Sequence, residues 1–227
     1  MHDLIFSSRR AVFLDALGTL IRLREPWPAL RELLHRRNGV EVSLADAHRA
    51  MLVEMGYYRA HCIRAADGTS LEALRRECAE ILRAELALDL PVEDLIPTLL
   101  DALHFEPYAD TVPALRTWRA SGLRVIVVSN WDVSLHDVLR RTRLDVLLDG
   151  VVCSAEVGRS KPDPATFVAA LELAGVAAEE AVHIGDSVEE DVAGARAAGI
   201  EPWLLVRDAG RAQAPAGTRT LASLREA

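Results

Sequence analysis

Four side chains far apart in the chain, Asp15, Ser129, Lys161 and Asp186, are of the types needed to move a phosphoryl group. One carboxylate can attack phosphorus, a second can complete an all-oxygen site for a divalent cation, and an ammonium and a hydroxyl can hold the remaining oxygens. Each falls at the end of a short apolar run or in the loop just beyond one. Lys161 stands out by composition, being the single lysine among 26 Lys and Arg residues. A compact ammonium suits a tight anion site better than the wide planar fork of arginine. Gly18 and Thr19, in the loop after Asp15, and Asn130, beside Ser129, are candidate substrate contacts. Asp191 is a candidate further ligand for a cation, although acids in the first turn of a helix are also favoured by its dipole.

For these residues to meet, the elements carrying them must end at one edge. Apolar runs at 10–14, 123–128, 147–153, 181–184 and 203–206 are too short for helices, and the last four are rich in β-branched residues, so they read as strands. Between them lie helical patterns at 111–120, 133–141, 165–174 and 188–198, three of which stop at Gly122, Gly175 and Gly199. Strand–helix–strand alternation at this spacing implies right-handed crossovers and a parallel sheet with helices on both faces. Ligands of such sheets sit at the carboxyl ends of the strands. A helix beginning at Val188 would also aim backbone N–H groups at that edge.

The stretch from about Pro26 to Phe105 breaks the alternation and reads as helices alone. Pro26 opens one that stops at Asn38-Gly39; Ser43 with Asp46 looks like a capping box for a second carrying Leu44, Ala47, Met51 and Met55. Ser70 starts a third and Pro91 a fourth, with Leu95, Leu99 and Leu103 on one face. The expected organisation is a core domain of residues 1–21 and 106–227 and a helical domain of 22–105, with hinges at the two crossings. Residues 208–218, rich in Gly, Ala and Pro, read as a late surface loop.

Bulk properties narrow the function. With 227 residues, half of them apolar, the chain can bury a sizeable core. A formal charge of −8 argues against nucleic acid as a partner, since phosphate-backbone binding rests on clustered Lys and Arg. Cys62, Cys78 and Cys153 are widely separated and in no metal or redox spacing, and the seven histidines form no metal-ligand pair in sequence. The short apolar run Leu4-Ile5-Phe6 is too brief for a signal peptide or a span. The expectation is a cytoplasmic protein, monomer or homodimer, acting on a small molecule away from membranes.

Phe13-Leu14-Asp15-Ala16-Leu17-Gly18-Thr19-Leu20, Val128-Ser129-Asn130, Ser160-Lys161-Pro162-Asp163-Pro164 and Ile184-Gly185-Asp186-Ser187 with Asp191 together resemble the four ordered motifs of the haloacid dehalogenase superfamily. The resemblance implies a Rossmann-like α/β core with a helical cap inserted after the first motif. It further implies an aspartyl ester formed on Asp15 with Ser129 and Lys161 assisting, and Mg²⁺ held by Asp15, the Leu17 carbonyl, Asp186 and Asp191.

One residue departs from that pattern. Most phosphatases of the family carry a second Asp two residues after the nucleophile, as general acid and base, and here that position is Leu17. Such help is typically worth ~10² to 10⁴ in rate, so a phosphatase without it should favour good leaving groups. Two other readings stay open: a 2-haloacid dehalogenase, which needs no leaving-group proton but usually lacks the acids seen at Asp186 to Asp191, and a non-catalytic binding protein. A phosphonoacetaldehyde-type Schiff base is excluded, because the inserted helical segment contains no lysine. Tyr57, His61 and Arg64 recur at helical spacing and form either a polar face over substrate or a solvated surface. Trp131 could stack on a substrate or fill the core, and Asp132 reads as a helix cap.

Overall fold

The computed structural model describes residues 9–207 and 214–227. The expectation about Leu4, Ile5 and Phe6, and most of that about the loop 208–218, lie outside the described residues. The chain divides into two compact units, one of residues up to Arg22 together with Pro107–Ala227, the other Leu23–Glu106. No described helix is long and apolar enough to cross a membrane.

In chain order the elements are β1 (Ala11–Leu14), β2 (Ile21–Leu23), α1 (Pro26–Leu33), α2 (Leu44–His61), α3 (Gly68–Glu85), α4 (Val92–Ala102), β3 (Phe105–Pro107), α5 (Thr111–Ala120), β4 (Arg124–Ser129), α6 (Leu135–Arg141), β5 (Gly150–Cys153), α7 (Ser154–Val157), α8 (Ala165–Ala174), β6 (Ala181–Gly185), α9 (Ala193–Ala197), β7 (Glu201–Leu205) and β8 (Arg219–Leu221). Six strands form a sheet in the order β5-β4-β1-β6-β7-β8, every pairing parallel. The chain therefore winds outward from β1 through β4 to β5, then crosses back to β6 on the other side of β1. That reversal at β1 opens a crevice at its carboxyl end, the usual ligand site of a doubly wound sheet.

All four β1 residues are fully buried, as a central strand covered on both faces requires. Phe13, Ile126, Val128, Phe167, Ala170 and Ile200 build one side of the core between the sheet and α8. The expected α/β class and its five main strands agree with the structure. Three strands were not anticipated: β8, at the sheet edge, and β2 with β3, which pair with each other at the two chain crossings. At three residues each they are too short to show a period of two. The helix expected over 188–198 begins instead with a wide turn, Val188–Val192, in which Asp191 and Val192 both donate to the Ser187 carbonyl at 3.0 and 3.1 Å. The helix expected from Val133 starts at Leu135, because Asp132 Oδ1 accepts from the Ser134 N–H at 2.6 Å and holds the preceding turn open.

In the helical unit, Ser43 caps α2 by accepting from Asp46 N–H at 3.0 Å, as the sequence indicates. Ser70 does not start α3. Asp67 is the cap, accepting from Ser70 N–H at 2.8 Å while Ser70 Oγ accepts from Asp67 N–H at 3.0 Å, which moves the start to Gly68. Leu44, expected on the apolar face of α2, is exposed at the first helical position. Tyr57, His61 and Arg64 belong to a network local to this unit: Tyr57 and Arg64 both donate to Glu77 Oε2, at 2.8 and 2.6 Å, and His61 Nδ1 meets the Tyr57 carbonyl at 2.7 Å.

The buried face of α2 is Ala47, Ala50, Met51 and Glu54, so a carboxyl occupies a position of helical periodicity reserved for apolar residues. Burial pushes the Glu54 pKa up to about 7, against a hydrogen bond from the Cys78 thiol. Below pH ~4.5 the group is neutral folded and unfolded; between there and pH ~7 only the unfolded chain ionises, so stability falls as pH rises through that window, by up to about 3 kcal/mol. Glu54→Gln should therefore leave the melting temperature of the protein nearly unchanged near pH 4.5 and raise it near pH 8, as differential scanning calorimetry at both pH values would read.

Candidate active site

The site begins where β1 stops. Asp15 N–H donates to the Ile184 carbonyl at 3.0 Å, continuing the ladder to β6 one residue past the strand. The chain then folds back: Gly18 N–H donates to Ile21 O at 2.8 Å, and Leu20 and Ile21 both donate to Ala16 O at 2.9 Å. Gly18 is required twice over. Its φ is +89°, and a Cβ there would lie 2.2 Å from Asp186 Oδ2. Arg207 braces the turn from outside, donating to the carbonyls of Gly18 (3.2 Å) and Thr19 (2.7 Å). Its guanidinium is in turn held by both oxygens of Asp110, at 3.0 and 3.1 Å, and lies over the Tyr108 ring at 3.7 Å.

The parallel register brings the other motifs to the same end. Ser129, last residue of β4, donates from Oγ to Asp15 Oδ1 at 2.9 Å. Lys161 Nζ donates to the same Oδ1 at 2.7 Å and to Asp191 Oδ1 at 2.5 Å, and its side chain is wholly buried. Asp15 Oδ2 accepts no hydrogen bond among the described residues. The four residues singled out from sequence thus meet at one point, Asp186 through its place beside Asp15 and Asp191: one ligand atom from each of the three carboxylates lies within 4.8 Å of the others. Asp186 is the exposed member and the other two are buried.

Several candidates take positions that their residue type did not dictate. Asn130 is a strut for Lys161, accepting from its N–H at 2.7 Å and donating to its carbonyl at 2.9 Å, with Glu190 Oε2 also 2.9 Å away. Thr19 is fully buried and its hydroxyl finds no partner among the described residues. Trp131 is buried, its backbone N–H donating to Ser154 Oγ. Leu17 is half-buried in the turn, bridged to Ile21. Two positioning residues went unread in the sequence. Arg207 is one. His183 is the other: buried against Phe167 with ring centroids 4.9 Å apart, it places Nε2 2.9 Å from Asp191 Oδ1. A carboxylate only accepts, so Nε2 carries the proton. Burial holds His183 below its ordinary pKa and therefore neutral.

The electrostatics follow from three carboxylates sharing one ammonium. Burial works against the Asp191 carboxylate, but Lys161 and His183 outweigh it and hold its pKa well below the usual range. Burial raises Asp15, with Lys161 opposing and the Asp191 charge adding to the rise. Although Asp186 is exposed, loss of solvent in the crowded site, then the charges of Asp15 and Asp191, push it up to about 7. Burial would lower Lys161, but the two carboxylates it touches raise it, so it stays charged. The site carries surplus negative charge on hard oxygen donors, which suits a cation of the Mg²⁺ or Ca²⁺ kind better than a thiophilic metal.

Comparison with known proteins meets this geometry from the other side. Residues 9–199 match the family of haloacid dehalogenase-like hydrolases. The chain belongs to that family. Among the relatives of this haloacid dehalogenase-like chain is the haloacid dehalogenase-like hydrolase domain-containing protein 3 of Danio rerio, 36% identical over 127 residues, or 51% of this chain and 52% of that protein. The human protein of the same name is 40% identical over 200 residues, 85% of this chain and 80% of its own length. The chain thus spans about half the length of the first and most of the second. A crystal structure of a HAD phosphatase from Thermococcus onnurineus superposes with a TM-score of 0.65 at 26% identity, covering 96% of this chain and 95% of that one. A 2-haloacid dehalogenase from Pseudomonas syringae pv. Tomato DC3000, 22% identical, shares the fold with a TM-score of 0.68 over 96% of each chain.

Removing the ammonium from this family's site should be costly and its cost should be recoverable. Lys161→Met leaves two buried carboxylates facing each other, and is expected to lower the unfolding free energy by about 3–5 kcal/mol in urea titration. Adding Asp191→Asn should return part of that loss, whereas simple additivity of the two changes would contradict the shared-ammonium geometry.

Proposed function

We propose that the protein is a Mg²⁺-dependent phosphatase of small phosphorylated metabolites, working through an aspartyl-phosphate on Asp15 without a side-chain general acid at position 17. The observation that carries this reading is the state of Asp15: Oδ1 is pinned by Ser129 and Lys161, and Oδ2 is the oxygen left to attack. The Asp15–Asp186–Asp191 trio, with the Leu17 carbonyl from the adjoining turn, is the donor set for the ion. Bound there, Mg²⁺ supplies charge neutralisation of the phosphoryl oxygens.

The protein's own groups do the rest. Asp15 Oδ2 forms the bond to phosphorus as the ester P–O bond breaks, and the released oxygen takes its proton from solvent because Leu17 offers none. Water then attacks phosphorus, releasing inorganic phosphate and restoring the Asp15 carboxylate. Ser129 and Lys161 turn their donors toward the phosphoryl oxygens, aided by the backbone of Gly18 and by Asn130, which keeps Lys161 in place. Asp191, which accepts from Lys161, His183 and the Ser187 N–H, orients the lysine as well as offering an oxygen to the ion. The Thermococcus phosphatase and the oxygen-only donor set support phosphate over halide as the leaving chemistry.

Turnover on aryl, acyl and alkyl phosphates and on a 2-haloacid, each with Mg²⁺ and with chelator, tests the proposal. Expected are phosphate release that needs Mg²⁺, is fastest on good leaving groups, and is abolished in Asp15→Asn. Leu17→Asp should raise alkyl-phosphate turnover by roughly 10² or more while changing aryl-phosphate turnover far less. Halide release indifferent to chelator would establish a dehalogenase instead, and tight ligand binding with no turnover a binding protein.

A further inference from the structure

Outside this site, the fold assembles a second and chemically different donor set. His136 in the first turn of α6, Cys153 at the end of β5 and Glu156 in α7 each offer a ligand atom, all within 4.8 Å of one another. His136 Nε2 is 3.1 Å from Glu156 Oε1, and the Cys153 thiol donates to Glu156 Oε2 at 3.1 Å. No spacing along the chain marks this set, and the topology brings it together: β5 and α7 supply Cys153 and Glu156 three residues apart, and the β4–β5 crossover supplies the histidine.

We propose that His136, Cys153 and Glu156 form a binding site for a thiophilic divalent cation of the zinc class, separate from the oxygen site at Asp15. The donor types argue for it: imidazole, thiolate and carboxylate are the zinc set, whereas Mg²⁺ and Ca²⁺ take oxygen alone. So does spacing, because ligand bonds of about 2.0–2.3 Å put tetrahedral donors roughly 3.3–3.7 Å apart, and the three ligand atoms already lie within 4.8 Å of one another. Charge argues the same way, since thiolate and carboxylate together neutralise the dication. Access is open, with the His136 and Glu156 side chains 39% and 42% exposed above the buried sulfur. On binding, the sulfur–metal bond forms and the thiol proton leaves to solvent, with no change of oxidation state. Three protein ligands leave a fourth position to water. Cys153 pairs in register with Ser129, so an occupied site ties down the strand next to the one that carries a catalytic hydroxyl.

Cobalt reports on this site without reference to activity. Full-length, metal-stripped protein, kept in saturating Mg²⁺ to fill the oxygen site, is titrated with Co²⁺ and followed by absorption. The expected result is a sulfur-to-cobalt charge-transfer band in the near ultraviolet that saturates at one equivalent and is displaced by Zn²⁺. The band should vanish in Cys153→Ser and persist in Asp15→Asn. His136→Gln and Glu156→Gln, at half-exposed positions that preserve the fold, should weaken Co²⁺ binding at least about tenfold. Absence of the band, or a band that survives unweakened in both glutamine variants, would overturn the proposal.

Discussion

The active site hangs on one buried ammonium. Lys161 reaches Asp15 and Asp191 at 2.7 and 2.5 Å, and neither carboxylate could stay ionised inside the protein without it. Everything that fixes this lysine is therefore part of the site. Asn130 clamps its backbone on both sides, Ser129 shares its hold on Asp15 Oδ1, and His183 donates to the same Asp191 oxygen that the lysine reaches. Arginine is a poor replacement, because its planar five-donor fork is wider than the compact ammonium that two buried carboxylates hold at 2.7 and 2.5 Å.

The backbone pays for this crowding with glycine. Gly185 allows Asp191 to approach within a distance that a Cβ, 2.1 Å from Asp191 Cγ, would forbid, and Gly18 does the same for Asp186. The wide turn at Val188–Val192 presents Asp191 back toward β6, where Ser187 N–H meets its Oδ2 at 3.0 Å. Arg207, arriving from the end of β7, locks the turn that follows Asp15. Strand ends set the positions of the acids, and these braces set their distances.

Much of this was legible in the sequence. Short apolar runs punctuated by glycines gave the parallel sheet, and a carboxylate, hydroxyl, lysine and carboxylate at the strand ends or in the loops beyond them gave the convergence, since parallel strands place their carboxyl ends together. Composition marked Lys161. What the sequence did not disclose depends on side chains meeting across the fold. His183 sits in a run of buried residues and looks like a core position, Arg207 is one arginine among many, and Asn130, read as a candidate substrate contact, braces the Lys161 backbone. Glu54 on a buried helix face was invisible for a similar reason: the face of α2 is built of Ala and Met, so its period is faint. The assembly of His136 with Cys153 and Glu156 needed the register of β5 against β4, which no spacing along the chain encodes.

The central claim is that Asp15 itself forms and breaks the bond to phosphorus. Rapid quenching of the protein with an aryl phosphate and Mg²⁺, followed by peptide mass spectrometry, tests it most directly. A phosphoryl group on the peptide containing Asp15, appearing before steady state and absent from Asp15→Asn, is the predicted result. Steady turnover with no modified Asp15, or undiminished turnover in Asp15→Asn, would contradict it.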